Sequence, residues 1–303
     1  MVHKSLLEAV QCCDKYPYTS SGTSIPFQYQ NTVLGHILPD VFSALSTYNT
    51  AITPSPFVIQ PDSVQFASWV DSFEKKTEVF KALTDHWRAT KMFAALAGWR
   101  DELYPVYGQN EIVFVIERAA SPLFGVATFG VHLNAYVVDE QGSTLVWVAR
   151  RAKTKQTWPG LLDNCVAGGI SYQYKIKDTV VKECDEEASI PYELASKVRS
   201  ANAITYYTYS QHGLQPETQY IFDLELPRDF VPTPRDGEVD CFYLWPLDKI
   251  KETILNEEWK PNCAAVMIEF MQRHGFITPD DERDYIQISY HLHRKLEFPT
   301  PHK

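Results

Sequence analysis

Apolar positions recur along this chain at two spacings, every three to four residues in some stretches and every second residue in others, and the switches between them mark out elements. A short amphipathic helix is predicted at Lys4–Asp14, followed by a polar loop, YTSSGTS, and an extended segment around Phe27–Leu38. PDVFSALSTY reads as a helix with Asp40 at its N-cap, and the Pro-punctuated ITPSPFVIQP as extended chain. From Ser63 to Ala97 a helical period dominates, carried by Phe66, Trp69, Val70, Phe73, Phe80, Leu83, Trp87, Met92 and Leu96, with Asp85 marking a break. Such an aromatic stripe is expected to face a core. EIVFVIERAA is strand-like, and FGVHLNAYVV and TLVWVAR flank Gln141-Gly142 as a β-hairpin. Further on, Tyr192–Ser200 is helical. AITYYTYS and TQYIFDLEL are strands separated by QHGLQPE, and a Pro-rich loop leads into the strand DCFYLW. WPLDKIKETIL, NCAAVMIEFMQRHG and DERDYIQISYHLHRKL close the chain as helices, the middle one ending at Gly275.

The stretch from Trp158 to Ile190 carries the candidate chemistry. A glycine pair, Gly168-Gly169, precedes a helix whose Glu183, Glu186 and Glu187 stand at i, i+3 and i+4 and so share one face. Ile176, Val180, Val181, Cys184 and Ala188 form a separate apolar arc for a core. An acidic run on a helix is most often a solvated face. Crowded carboxylates instead raise one another's pKa unless a cation neutralises them, and oxygen-only clusters suit hard ions such as Mg²⁺. Upstream, Arg150, Arg151, Lys153 and Lys155 end a strand just before this window, where they would balance the acids or hold phosphate oxygens.

With 303 residues, 45% of them hydrophobic and 22% charged, the chain has room for a substantial core in one large domain or two ordinary ones. A net charge of −10 argues against a general nucleic-acid binder. No apolar run approaches the ~20 residues that span a bilayer, and MVHKSLLEAVQCCDKYPY lacks the features of a secretory or transit peptide. The six cysteines show no metal spacing, which fits reduced cytosolic or nuclear thiols, and the compartment expected is the cytoplasm.

The window around Gly168 resembles the signature of the Nudix hydrolases. That signature is a Gly, five residues, a Glu, seven residues, then Arg-Glu, an apolar residue, any residue, Glu-Glu, any residue, Gly and an apolar residue. Gly168, Lys182, Glu183, Cys184, Glu186, Glu187 and Ile190 keep its register, while Tyr174 stands for the first Glu and Ser189 for the second Gly. GWRDELYPV, IERAASPLFGV, FGVHLNAYVV, KTKQTWPGLLDNCVAGG, EEASIP, DGEVDCF and the closing KPNCA and RHGFITP further resemble one branch, the thiamine pyrophosphokinase-related Nudix hydrolases. The resemblance implies an α+β fold: a Nudix-type α/β/α sandwich with a mixed sheet over residues 123–303, preceded by a smaller mixed α+β domain over 1–122.

It also implies hydrolysis of thiamine diphosphate, or its damaged oxy- and oxo- analogues, to the monophosphate and phosphate. Glu183, Glu186 and Glu187 would hold Mg²⁺ or Mn²⁺, with Glu183 or Glu187 as base. Glu238 in DGEVD is the first candidate for a further metal-binding acid and Asp236 the second, although Asp-Gly also simply suits a turn. Arg150, Arg151, Lys155, Gly168 and Gly169 are candidates for binding the phosphates, and Trp158, Tyr206, Tyr207 and Tyr220 for walls around a two-ring cationic group. The partner expected is a small-molecule diphosphate, with a second copy of the chain as another candidate. Two alternatives stay open: a pyrophosphatase acting on a nucleoside diphosphate derivative, and a non-catalytic thiamine diphosphate binder favoured by Tyr174 and Ser189. Isomerisation is disfavoured. Isopentenyl diphosphate isomerases have a similar WPG…N…G stretch, but their cysteine aligns at Ala167, and Cys165 is about 6–7 Å away along a strand. No GxxxxGK[ST] loop is present for a kinase.

Overall fold

The computed structural model describes residues 2–18 and 24–301, so most of the YTSSGTS loop lies outside the described residues. In chain order the elements begin with α1 (Leu6–Gln11), β1 (Ile25–Tyr29), β2 (Thr32–Ile37), α2 (Pro39–Ala51), β3 (Phe57–Gln60) and β4 (Ser63–Phe66). There follow α3 (Phe73–Ala89), β5 (Leu103–Tyr107), β6 (Ile112–Glu117) and α4 (Ser121–Phe124). The rest comprises β7 (Thr128–Val138), β8 (Thr144–Arg151), β9 (Leu162–Asn164), β10 (Val166–Gly169), α5 (Ile176–Ala188), α6 (Tyr192–Ala195), β11 (Arg199–Ser210), β12 (Gly213–Glu225) and β13 (Val239–Pro246). Three helices end it: α7 (Leu247–Leu255), α8 (Pro261–Arg273) and α9 (Tyr285–Leu292).

In the first half a sheet ordered β2-β1-β4-β3 and the hairpin β5-β6 surround α3. Phe27, Phe80, Trp87, Phe114 and Phe124 fill the core between them, with Phe80 stacked on Phe114 at 4.2 Å. The single long helix expected over Ser63–Ala97 is corrected to a strand, a turn, a helix and the 3-10 turn Ala94–Gly98. Val64 and Phe66 fit a two-residue alternation as readily as a helical one, and Ser72 then caps α3 by accepting from Lys75 N–H at 3.2 Å. Asp85 does not break this helix; it pairs with Lys81 at 2.5 Å within it. Asp40 is not a cap either, because α2 starts at Pro39, whose missing N–H suits the first helical position.

The second half is built on a mixed sheet with the path β11-β12-β7-β8-β13, in which β12 and β7 run parallel and the other pairs antiparallel. β10 pairs with β7, and β9 with β8. Strand residues alternate between two cores. Val131, Leu133 and Val166 face α5 with Val180 and Cys184, while Val146, Val148 and Ile221 face α7, α8 and α9. Helices on both faces make the α/β/α sandwich. The helix expected over Tyr192–Ser200 is a single turn, because from Arg199 the chain pairs instead with β12, Arg199 facing Asp223.

The first helix joins the far core. Leu6, Ala9 and Val10 pack with Ile254, Ala264 and Leu292, and Asp14 then accepts from Arg294 and His291 at 2.8 Å and from Tyr207 N–H at 3.1 Å. α1 thus packs against helices of the second half of the chain. Leu6→Ala is expected to destabilise the protein by about 2–5 kcal/mol, as for a fully packed core leucine. Urea denaturation checks this, and a change below ~0.5 kcal/mol would mean that α1 is not part of that core.

Candidate active site

β10 borders the sheet here: β7 lies on one side of it and α5 passes along the other. Its free Ala167 N–H donates to Glu187 Oε2 at 2.9 Å, which binds the helix to the strand edge. Successive residues of a strand face opposite ways. A Cβ on Gly168 would lie 2.5 Å from the Glu183 carboxyl carbon, and one on Gly169 1.8 Å from Tyr104 Oη. The glycine pair therefore leaves room for an acid of α5 on one side and a tyrosine of β5 on the other.

Glu183, Glu186 and Glu187 converge on one cleft of about 1370 Å³. Glu187 is 8% exposed, Glu183 is partly buried and Glu186 stands nearer the mouth. Burial pushes the Glu183 carboxyl up, with the charges of Glu186 and Glu238 adding and Lys182 opposing. Burial, and then the charge of Glu183, push Glu187 well above the ordinary range. Lys182 Nζ bridges Glu186 at 2.5 Å and Glu183 at 3.4 Å, an ammonium standing where the acids call for a cation. This oxygen donor set, already gathering positive charge, fits a hard divalent ion.

Glu238 and Asp236 also line the cleft. Burial raises Glu238, but its ion pair with Lys155 and the charges of Arg100 and Arg118 outweigh this and hold it below the usual range. Asp236 accepts the Glu238 N–H at 2.8 Å and Gly237 has φ 80°, so the turn and the site coexist. Arg151 borders the cleft, yet its guanidinium is committed to Asp163 at 2.6 Å and to the carbonyls of Thr157 and Trp158. Arg150 points away: it donates to the Gly160 carbonyl at 3.0 Å and lies over the Tyr243 ring. Of the aromatic candidates Trp158 and Tyr206 line the cleft. Tyr207 stacks on Tyr16 outside it, and Tyr220 packs beside Phe129.

Tyr174 and Ser189 have structural substitutes for the residues they replace. Lys182 Nζ lies 5.6 Å from the Tyr174 ring centre, a cation–π contact in place of an ion pair. Ser189 adopts the left-handed conformation that closes α5 (φ 52°) and donates its hydroxyl to the Thr233 carbonyl at 3.0 Å. Cys165 is fully buried in the core beneath α5, where burial pushes its thiol well up, a poor setting for proton transfer.

Several cleft residues carried no role in the sequence reading: Arg100, Glu102, Tyr104 and Arg118 from the first half, and Glu217 and Gln219 from β12. Among the described residues His132, Asp163 and Cys263 also hold donor atoms within 4.8 Å of one another. Those atoms are taken up internally. His132 Nδ1 meets Asn164 at 2.7 Å, and Asp163 accepts from Arg151, the Asn164 N–H and the Cys263 thiol. Burial pushes His132 down to about 4, and this group forms a neutral-histidine brace under the sheet.

A NUDIX domain family model matches residues 128–265, and a domain of unknown function, DUF4743, matches residues 5–128. The chain is 31% identical over 300 residues to an uncharacterized protein of Saccharomyces cerevisiae, covering 95% of this chain and 88% of that one. It is 34% and 33% identical to two Arabidopsis thaliana proteins, Nudix hydrolase 20, chloroplastic and Nudix hydrolase 24, chloroplastic, covering 90% of this chain and 74% of each. The acidic helix laid along a strand edge lies within the stretch that the NUDIX model matches. The chain is a member of the Nudix hydrolase family.

The raised acids have a measurable consequence. Above the ordinary carboxyl value of 4.5 the folded state keeps protons on Glu183 and Glu187 that the unfolded state has lost, so their contribution to stability falls as pH rises. In metal-free protein, the stability of wild type relative to Glu187→Gln is expected to decline with rising pH from about 4.5, by at most ~1.4 kcal/mol per pH unit for one proton. Millimolar Mg²⁺ should abolish the decline by binding the charged form. Urea midpoints across pH check it; a difference that stays flat or grows with pH contradicts the assignment.

Proposed function

We propose that the protein is a Mg²⁺- or Mn²⁺-dependent diphosphatase that hydrolyses thiamine diphosphate, or its oxy- and oxo- analogues, to the monophosphate and phosphate. The observation that carries the reaction class is the gathering of Glu183, Glu186 and Glu187 into one cleft beside a strand edge with oxygen donors alone. When bound there, a divalent ion neutralises phosphate oxygens and makes a water more acidic. Glu183, Glu186 and Glu187 would hold it, with Glu238 as a fourth acid once Lys155 is drawn to the substrate. Glu187 has one oxygen tied to the Ala167 N–H, and it and Glu183 are the more enclosed of the three acids. Either can take the proton of the attacking water while the bond between the two phosphorus centres' bridging oxygen and the outer phosphorus breaks.

The substrate class has separate support. Glu217 lines the same cleft, accepts from Tyr206 Oη at 2.5 Å and Gln219 Nε2 at 2.9 Å, and carries no ion pair among the described residues. A carboxylate fixed by two neutral donors and without a direct ion pair favours a positively charged organic group, and the half-exposed Trp158 offers a flat surface for its rings. No helix among the described residues is long and apolar enough to cross a membrane, and the compartment we propose is the cytoplasm.

Assay of diphosphate cleavage, read by chromatographic separation of the products, on thiamine diphosphate, its oxidised analogues, ADP-ribose and a diadenosine polyphosphate tests the reading. The thiamine compounds are expected to give the highest kcat/KM, and Glu183→Gln to lower it by at least ~100-fold without loss of fold. Preference for a nucleotide substrate would overturn the specificity, and an unaffected Glu183→Gln variant the mechanism.

A further inference from the structure

The first half of the chain does more than pack beside the sandwich. Glu117, 4% exposed at the end of β6, accepts from Arg100 N–H at 2.9 Å and Ala119 N–H at 3.3 Å, so one carboxylate ties together the two segments that carry Arg100 and Arg118. Arg118 N–H donates to the Glu102 carbonyl and its Nη1 to the Glu102 carboxylate, both at 2.8 Å, while its guanidinium lies over the Tyr104 ring. The Tyr104 hydroxyl in turn is seated where a side chain on Gly169 would be, one residue from the glycine that accommodates Glu183. A rigid chain of contacts thus fixes both arginines relative to the acidic helix.

Arg118 has an ion-pair partner in Glu102, and Arg100 has none among the described residues. Arg100 is half-buried, lines the cleft and makes no side-chain hydrogen bond or ion pair among the described residues. The charges of Glu102 and Glu217 act on Arg118, and those of Glu238 and Glu102 reach Arg100 without an ion pair to it. Burial and the neighbouring Arg118 both disfavour the Arg100 charge, which a bound anion would relieve. Guanidinium forks match phosphate oxygens in two-point hydrogen bonds, and Arg100 has its full set of donors free.

We propose that Arg100, supported by Arg118, binds the phosphate oxygens of the substrate across the cleft from Glu183, Glu186 and Glu187, so that the DUF4743 half completes the active site. The proposal rests on the diphosphatase reading and assigns that half a share in substrate binding. Arg100 is a contact to substrate; Glu117 positions it.

Inorganic pyrophosphate is the probe, titrated calorimetrically into the full-length protein with Mg²⁺, alongside Mn²⁺ titrations without pyrophosphate. Arg100→Gln is expected to weaken pyrophosphate binding by about 10-fold or more, Arg100→Lys to recover part of the loss, and Mn²⁺ affinity to stay at the wild-type value in both. Pyrophosphate binding by Arg100→Gln as tight as wild type overturns the proposal. If Glu186→Gln meanwhile loses both metal and pyrophosphate, the hydrolase reading survives that failure. Wild-type protein that binds neither probe removes both. Since the Arg100 side chain has no protein partner to lose, the variant is expected to keep the wild-type urea midpoint.

Discussion

Carboxylates repel one another most where water is scarce, and this protein places Glu183 and Glu187 in such surroundings and holds them there. The arrangement persists because each repulsive element has a local counterweight: the Ala167 N–H for Glu187, Lys182 for Glu183 and Glu186, and Lys155 for Glu238. None of these neutralises the cluster fully. A site that is stable enough to fold yet still short of positive charge is suited to bind a divalent ion and then a polyanionic substrate.

The same constraint explains the surrounding backbone. α5 approaches β10 closely because Gly168 has no side chain, and β5 approaches from the other side because Gly169 has none. The first half of the molecule is thereby docked within a residue of the acids, through Tyr104. α1 contributes a second tie, crossing to pack against α8 and α9 while Asp14 gathers Arg294 and His291. The cleft lies between parts of the chain that are distant in sequence, and its shape depends on both ties.

The legible parts of this architecture were those encoded locally. The i, i+3, i+4 acids, the apolar arc of α5 and the hairpin at Gly142 depend on spacing within one element, and the structure shows each of them. The stretch after Ser63 misled because two aromatic residues of a strand and turn, Phe66 and Trp69, happen to continue the period of α3. The adjacent Arg150 and Arg151 looked equivalent in sequence, but strand alternation sends one outward over Tyr243 and fixes the other to Asp163. Arg100 and Arg118 could not have been singled out, since their relation to the acids passes through a tyrosine, a glycine and a buried glutamate from three separate segments. Tyr174 and Ser189, which looked like damage to the signature, prove to be supported by a cation–π contact and a capping hydrogen bond.

Two donor sets in this structure have the residue types of a metal site, and they differ in whether their atoms are already in use. His132, Asp163 and Cys263 are engaged with one another and with Asn164 and Arg151, whereas the acids of α5 are only partly compensated. Anomalous diffraction from a crystal grown with Mn²⁺ distinguishes them most directly. The account predicts a peak among the carboxylates of Glu183, Glu186 and Glu187. A peak at His132, Asp163 and Cys263, with none beside α5, would contradict it.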